Sequence, residues 1–332
     1  MSKNTLSIVI PTLNNELHLG KFFHYLKSQD YPQEYIEILI MDGGSIDRTI
    51  EIAEQNEANV INNPDVLAEP GVNLGIRCSK NKIIMILAVD NYLNDSQFLS
   101  KIMAVFDNEY VFAAFPKHES DKYDSIFTKY FNTFTDPFNH FVYGNAANAR
   151  TFKKIYRVVE SNEKFEIYDF QEGNMAPMIA LAQGFTFRAG YERKAVDAYD
   201  DCAPIIEMIK TGRVIAYVHS ASVFHHTINN YSHFLRKQRW ATLNALKKSE
   251  YGIGHRIDSL SVVQRMRIRV WPIYSVSIVL PLIRGIWGVM RDKELIWLFH
   301  PAICFLSFYA SSTAIMLKFF DKKNSVNYLR QK

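Results

Sequence analysis

Asp42 closes the mostly apolar run Ile36 to Met41 and is followed by Gly43 and Gly44. A carboxylate at a strand end can accept hydrogen bonds from a base or a ribose hydroxyl, and glycines let the backbone approach a ligand without a Cβ in the way. An aspartate before two glycines also makes a common turn, which is the competing structural use. Asp90 follows a second apolar run, Lys82 to Val89. Asp200 and Asp201 stand together just before Cys202 to Lys210, a stretch that reads as a helix closed by Gly212. Adjacent carboxylates can differ in environment, so one can take a pKa suited to proton abstraction while the other caps the helix. His225 and His226 follow the strand-like segments Val214 to Val218 and Ser222 to Phe224. Either imidazole can reach a metal or make a structural hydrogen bond.

The elements that must position these groups alternate along the first part of the chain. Leu6 to Ile10 is an apolar run stopped by Pro11, and Glu16 to Ser28 carries Leu17, Phe22, Phe23 and Leu26 at nearly helical spacing. Ile36 to Met41 and Lys82 to Val89 read as strands covered on both faces, and Asp47 is placed to cap a helix through Ile50, Ile52 and Ala53. Such alternation predicts a mostly parallel sheet with helices on both sides, and ligands bind at the C-terminal ends of its strands. Thr12, Asp42 and Asp90 are therefore expected on one edge. Residues 116 to 195 are rich in Phe, Tyr and Asn and show no clear periodicity, whereas Tyr231 to Lys248 reads as a basic helix.

Composition narrows the class. The 332 residues are 48% hydrophobic and 22% charged, as in a folded protein, and the net charge of +4 is too small to argue for nucleic acid. Cys78, Cys202 and Cys304 are odd in number and lack metal-ligand spacing, which suits a reduced compartment. The N-terminus runs straight into a strand without a signal-peptide pattern, so a cytoplasmic catalytic part is expected. Neither a Gly-x-Gly-x-x-Gly nor a P-loop lysine pattern is present. Apolar stretches at about 271–290 and 295–317 predict membrane contact, as spans or as a re-entrant pair. The chain is accordingly divided into a catalytic domain, 1–250, and a membrane-associated helical region, 251–332.

The pair Ser7-Ile-Val-Ile-Pro-Thr-Leu-Asn-Asn15 and Ile38-Leu-Ile-Met-Asp-Gly-Gly-Ser-Ile-Asp-Arg-Thr49 resembles family 2 glycosyltransferases of the membrane-associated bacterial or archaeal type. The resemblance covers residues 5 to about 110 and, more loosely, about 197 to 240. It implies an α/β GT-A fold, which binds nucleotide-diphospho-sugars, and a donor site built from Pro11, Thr12, Asn14, Asp42, Gly43, Asn73 and Asp90. It further implies Mg²⁺ or Mn²⁺ on an Asp-x-Asp motif, but Ala88 replaces the first aspartate and Asp90 keeps the second, so Asp90 and His225 become the expected ligands. By the same resemblance Asp201, with Asp200 beside it, is the base that deprotonates the acceptor. Arg236 to Trp240 resembles a Gln-x-x-Arg-Trp signature with Arg236 in the glutamine's place. Arg239 is then expected to pair with the diphosphate and Trp240 to stack on a sugar. The implied reaction is inverting sugar transfer from a nucleotide-sugar donor to an acceptor hydroxyl on a lipid-linked or other glycan, with membrane lipid as partner, at the cytoplasmic face. Two alternatives remain open: a polyprenyl-phosphate sugar synthase, and a degenerate nucleotide-binding scaffold for which Ala88 argues.

Overall fold

The structure is a computed structural model that describes residues 4–93, 95–171, 175–191, 200–245 and 260–320. Its strands are β1 (Leu6–Thr12), β2 (Ile36–Asp42), β3 (Asn59–Asn62), β4 (Ile83–Leu87), β5 (Asn91–Leu93), β6 (Val111–Glu119), β7 (Arg157–Ser161), β8 (Glu166–Asp169), β9 (Gln183–Arg188) and β10 (Val214–His225). Its α-helices are α1 (Glu16–Lys27), α2 (Thr49–Gln55), α3 (Ala68–Cys78), α4 (Phe98–Ala104), α5 (Ile126–Phe134), α6 (Pro137–Tyr143), α7 (Ala203–Lys210), α8 (Tyr231–Ala245), α9 (Val262–Val276), α10 (Val279–Asp292) and α11 (His300–Phe320). They form two compact units, one of Met1–Glu119 with Ala149–His225 and one of Ser120–Asn148 with His226–Lys332. This division falls elsewhere than the change of composition after residue 250, which itself lies outside the described residues.

The first unit is an α/β sheet ordered β3-β2-β1-β4-β9-β6-β10-β8-β7, with β5 paired to β10. β1, β2, β3 and β4 are mutually parallel, as are β6 and β10, while β9 runs antiparallel between β4 and β6. β3, β2, β1, β4, β6 and β10 thus point the same way, as the alternating pattern predicts. β1 and β4 are buried along their whole length, which explains their unbroken apolar sequences. The buried stripe of α1 is Leu19, Phe22, Phe23 and Leu26, whereas Leu17 is 85% exposed, so Leu19 and not Leu17 begins the core face. α3 lies tight on β1 through Gly75, where a Cβ would stand 2.2 Å from Val9 Cγ1. The aperiodic region holds β6 to β9, α5 and α6, and β10 is a single strand reaching His225.

The second unit is helical. Phe127, Tyr130 and Phe134 of α5 pack with Phe234 of α8, Trp297 and Ile303, and Trp271, Tyr274 and Cys304 form a neighbouring cluster. Ser261 and Gln264 close a capping box that starts α9. The apolar stretch expected at 271–290 is not one element. It breaks at Ser277–Ile278, where Ile278 has φ +53°, and α9 and α10 meet at a 96° bend. Pro281 lies in the first turn of α10 and has no N–H to continue the preceding helix, which accounts for the break. Leu295–Phe319 is a 25-residue helical stretch, long enough by length and composition to cross a membrane. α8 is joined to α11 by polar pairs: Ser307 Oγ donates to Gln238 Oε1 at 2.8 Å, Thr242 Oγ1 to Ser311 Oγ at 2.8 Å, and Arg239 Nε to Thr313 Oγ1 at 3.2 Å.

Candidate active site

In the first unit the loops after β1 and β2 are interlocked by side-chain to backbone hydrogen bonds. Thr12 stands opposite Asp42 in register, and the Gly43 amide donates to the Thr12 carbonyl at 2.9 Å. Asn14, at φ +50°, accepts from the Ile46 amide and donates its own amide to Ser45 Oγ. Asn15 donates to Thr12 Oγ1 at 3.0 Å through its side chain and to Thr49 Oγ1 at 2.7 Å through its backbone. One carboxylate, Asp47, caps two helices: Oδ1 accepts from the Thr49 amide at the start of α2, and Oδ2 from the Glu16 amide at the start of α1. Burial alone would raise the Asp47 carboxyl, but the hydrogen bonds from Thr49 and Glu16 outweigh it and hold its pKa below the ordinary value.

Asp42 is 3% exposed and organises its own turn. Its Oδ2 accepts the amides of Gly44 and Ser45, each at 2.9 Å, and its Oδ1 accepts Ser45 Oγ at 2.5 Å. Three of the roughly four acceptor positions of a carboxylate are thus used within the loop. Gly43 serves a close approach by the chain itself, because a Cβ there would lie 2.6 Å from the Val66 carbonyl oxygen. Asn73 is buried within α3.

The other groups gather around a short segment that the sequence does not mark. Leu181, Ala182 and Gln183 lead into β9 beside the exit of β4, where Leu87 pairs with Gln183. The Leu181 amide donates to the Asp201 carbonyl at 3.1 Å, and the Ala182 carbonyl accepts from the Ala88 amide at 2.9 Å. Gln183 Nε2 lies 3.2 Å from His225 Nε2. His225 in turn pairs with Asn91 of β5, the residue after Asp90, and its ring lies 5.7 Å from that of His118. These contacts bring Asp90, Asp201 and His225 to one edge of the sheet, together with His118, Asn91 and Gln183. Asn91 is buried and its Nδ2 donates to Asp90 Oδ1 at 3.0 Å and to the Ala88 carbonyl at 3.3 Å, fixing the turn that carries Asp90. Burial pushes the His118 imidazole down to about 4, against a hydrogen bond with the Gln183 backbone, so its ring is neutral at pH 7. Tyr92 is held above its ordinary value by burial and by the nearby Asp90 carboxylate.

The adjacent pairs are told apart by their surroundings. Asp200 is 1% exposed and accepts the Cys202 amide at 2.8 Å ahead of α7, whereas Asp201 keeps part of its surface open. His226 binds Asp124 at 2.6 Å in the second unit, while His225 ends β10 in the first. Arg239 and Trp240 lie on α8 of the second unit, where Arg239 meets Thr313 and Trp240 is 41% exposed.

A divalent cation is implied by the family pattern, and the donor set is suited to one carried by a diphosphate. Among the described residues no three of His, Cys, Asp and Glu converge closely enough to hold a metal by themselves. Asp90 and His225 supply an oxygen and a nitrogen on neighbouring chain segments, and Asn91 Oδ1 is a buried acceptor without a hydrogen-bond partner. Mg²⁺ is commonly held by one or two carboxylates with substrate phosphates and water completing the shell.

The profile of glycosyl transferase family 2 matches residues 7–176. A Methanococcus voltae protein, dolichyl N-acetyl-alpha-D-glucosaminyl phosphate 3-beta-D-2,3-diacetamido-2,3-dideoxy-beta-D-glucuronosyltransferase, is 44% identical over 52 residues, 16% of this chain and 16% of that protein. The poly(ribitol-phosphate) beta-N-acetylglucosaminyltransferase TarS of Staphylococcus aureus is 27% identical over 94 residues, 26% of this chain and 16% of that protein. Each match therefore spans about a sixth of the relative's length. In structure, a mannosyltransferase from Pyrobaculum calidifontis, in complex with GDP-Man and Mn²⁺, superimposes with a TM-score of 0.55 at 11% identity, covering 97% of this chain and 89% of that one. That likeness is one of fold.

Proposed function

The chain belongs to glycosyl transferase family 2, and we propose that it transfers a sugar, with inversion, from a nucleotide-sugar to a hydroxyl of a lipid-linked glycan at the cytoplasmic face of the cell membrane. The observation that carries this reading is the gathering of Asp90, Asp201 and His225 around residues 181–183, on the sheet edge where β1 and β2 also present Thr12 and Asp42.

In this reading Pro11, Thr12, Asn14, Asp42, Gly43 and Asn73 form the nucleotide end of the donor site. Asp42, with its turn already ordered, offers its remaining acceptor position to a ribose hydroxyl or a base N–H. Asp90 and His225 would hold the divalent ion, which when bound would neutralise charge on the diphosphate. Asp201 takes the proton from the acceptor hydroxyl as its oxygen bonds to the anomeric carbon, and the bond from that carbon to the diphosphate breaks on the opposite face. Asp200, engaged with the Cys202 amide, fixes the backbone that presents Asp201. A lipid-linked acceptor is supported by the Methanococcus voltae relative, whose name specifies a dolichyl phosphate-linked sugar, and by the apolar helices of the second unit.

The test is release of free nucleotide from a panel of nucleotide-sugars by the full chain with membranes present. Turnover of at least one donor that depends on an added lipid extract, and that falls in Asp201→Asn, is the expected result. Tight nucleotide binding without turnover of any donor would identify a scaffold instead.

A further inference from the structure

The exposed apolar surface of α9 and α10 is extensive for solvent and interrupted for a membrane span. On α9, Val262, Met266, Val270 and Ile273 are exposed at intervals of four, four and three, a single stripe along one face. On α10, Val279, Ile283, Ile286 and Met290 repeat the pattern. With 15 and 14 residues the two helices are each about 21–22 Å long, short of a ~30 Å hydrocarbon core. Their 96° bend makes a corner, neither a straight span nor a hairpin.

Leu295–Phe319 is long enough to cross, but its middle is committed to polar company. Ser307, Ser311 and Thr313 bond Gln238, Thr242 and Arg239 of α8, the helix that also carries Arg236 and Lys237. If α11 crossed, those contacts would hold α8 and its three cations near the bilayer centre, where each charge is costly. The same helix begins at His300, buried with one ring nitrogen bonded to Tyr130 and the other to Tyr274, so the N-terminal end of α11 is fastened to α5 and α9, although only 28% of its apolar stretch is buried. Its opposite face, with Phe305 and Tyr309, is exposed, and so is the whole run Ile315 to Phe319 at its C-terminal end.

We propose that the second unit is monotopic: α9 and α10 lie in the headgroup boundary of one anionic leaflet, and none of α9, α10 and α11 crosses the bilayer. Charge selects the occupant. Residues 260–320 contain seven Arg or Lys and two Asp or Glu, a net +5. Arg265 and Arg269 are exposed beside the α9 stripe, where their stems can lie on apolar surface and their heads reach phosphates. Trp287, 48% exposed beneath the Arg284 and Arg291 guanidinium groups, suits the same boundary. This inference rests on the membrane part of the functional reading and specifies its geometry.

The experiment uses the full chain. It is expected to co-sediment with vesicles of phosphatidylcholine and phosphatidylglycerol and far less with phosphatidylcholine alone. Arg265→Gln with Arg269→Gln should weaken binding about 30-fold, about fivefold per cation. Single cysteines at Asn229, Lys293 and Lys318, on a chain with the native cysteines replaced by alanine, are then probed with an impermeant maleimide in sealed right-side-out and inverted membrane vesicles. Labelling of all three from the same side, with wild-type far-UV circular dichroism, is the expected result. Lys293→Cys or Lys318→Cys labelling from the side opposite Asn229→Cys would overturn the monotopic reading while leaving membrane association standing. A full chain that binds neither vesicle would overturn both. A soluble dimer cross-linked through Met266→Cys would assign the apolar stripe to a second copy and overturn the lipid occupant.

Discussion

Asp42→Asn separates the two uses of this carboxylate. In the wild type Oδ2 receives two amides and Oδ1 one hydroxyl. An asparagine whose carbonyl oxygen takes the Oδ2 place still accepts Gly44 and Ser45, and its NH₂ can donate to Ser45 Oγ, because that hydroxyl can turn to accept. The turn therefore survives, and the stability change should stay within about 1 kcal/mol. The charge is lost, and a ligand hydrogen bond to a charged group contributes about 1.5–3 kcal/mol, so nucleotide affinity should fall about 10- to 100-fold. Asp42→Ala strands two buried amides as well and should cost about 3 kcal/mol of stability, so it would confuse folding with binding. Urea unfolding with an unchanged slope, paired with calorimetric titration of nucleoside diphosphates, reads both quantities. If Asp42→Asn binds every nucleotide that the wild type binds with equal affinity, the carboxylate is a turn organiser only and the donor assignment fails.

Asp201→Asn should lower turnover ~10²-fold or more with nucleotide affinity little changed, whereas Asp200→Asn should act chiefly on thermal stability through the amide it accepts; wild-type turnover in both would point to a phosphate acceptor, already anionic. A strong chelator should abolish turnover and Mg²⁺ or Mn²⁺ restore it, with cation affinity measurably tighter when nucleoside diphosphate is present. Undiminished activity after chelation would transfer the charge-neutralising role to basic residues such as Arg239. For Asp47 the folded pKa lies below the unfolded value of about 3.9, so its charge contributes stability at neutral pH that is lost as pH falls through the lowered folded value. The stability gap between wild type and Asp47→Ala, followed by urea unfolding from pH 7 to acid, should therefore narrow only below about pH 4, and a gap constant across that range would refute the double-capping role.

The donor half of the site is legible in sequence because its determinants are local. Pro11 to Asn15 and Asp42 to Thr49 are turn and cap residues at the ends of two apolar strands, and their hydrogen bonds mostly join these two short loops. The other half is not legible, because Gln183 and His118 acquire their positions from strand order. Nothing in Leu-Ala-Gln-Gly distinguishes it from an ordinary strand entry, and the preceding elements are short, β7 and β8 being only five and four residues. The roles proposed for Asp90, Asp201 and His225 come from the family resemblance, and the structure adds the segment that connects these residues. The tail reads as apolar in sequence, but residue type does not show that Ile278 turns the corner between α9 and α10.

The antiparallel strand β9 also sets an order of events. It inserts between β4 and β6, pairing Ile83–Leu87 on one side, 96 to 105 residues away in sequence, and Ala113–Ala114 on the other, 72 to 74 residues away. Such closure comes late, because chain entropy is lost before the contacts compensate for it. The parallel strands β1 to β4 and their loops can form from nearby sequence. Asp201 and His225 take their places only when residues 181–183 slot beside Ala88. During synthesis, then, the nascent chain completes the loops proposed to hold a donor before it completes the edge proposed to react it, and a ribosome stalled at residue 176 carries only the first.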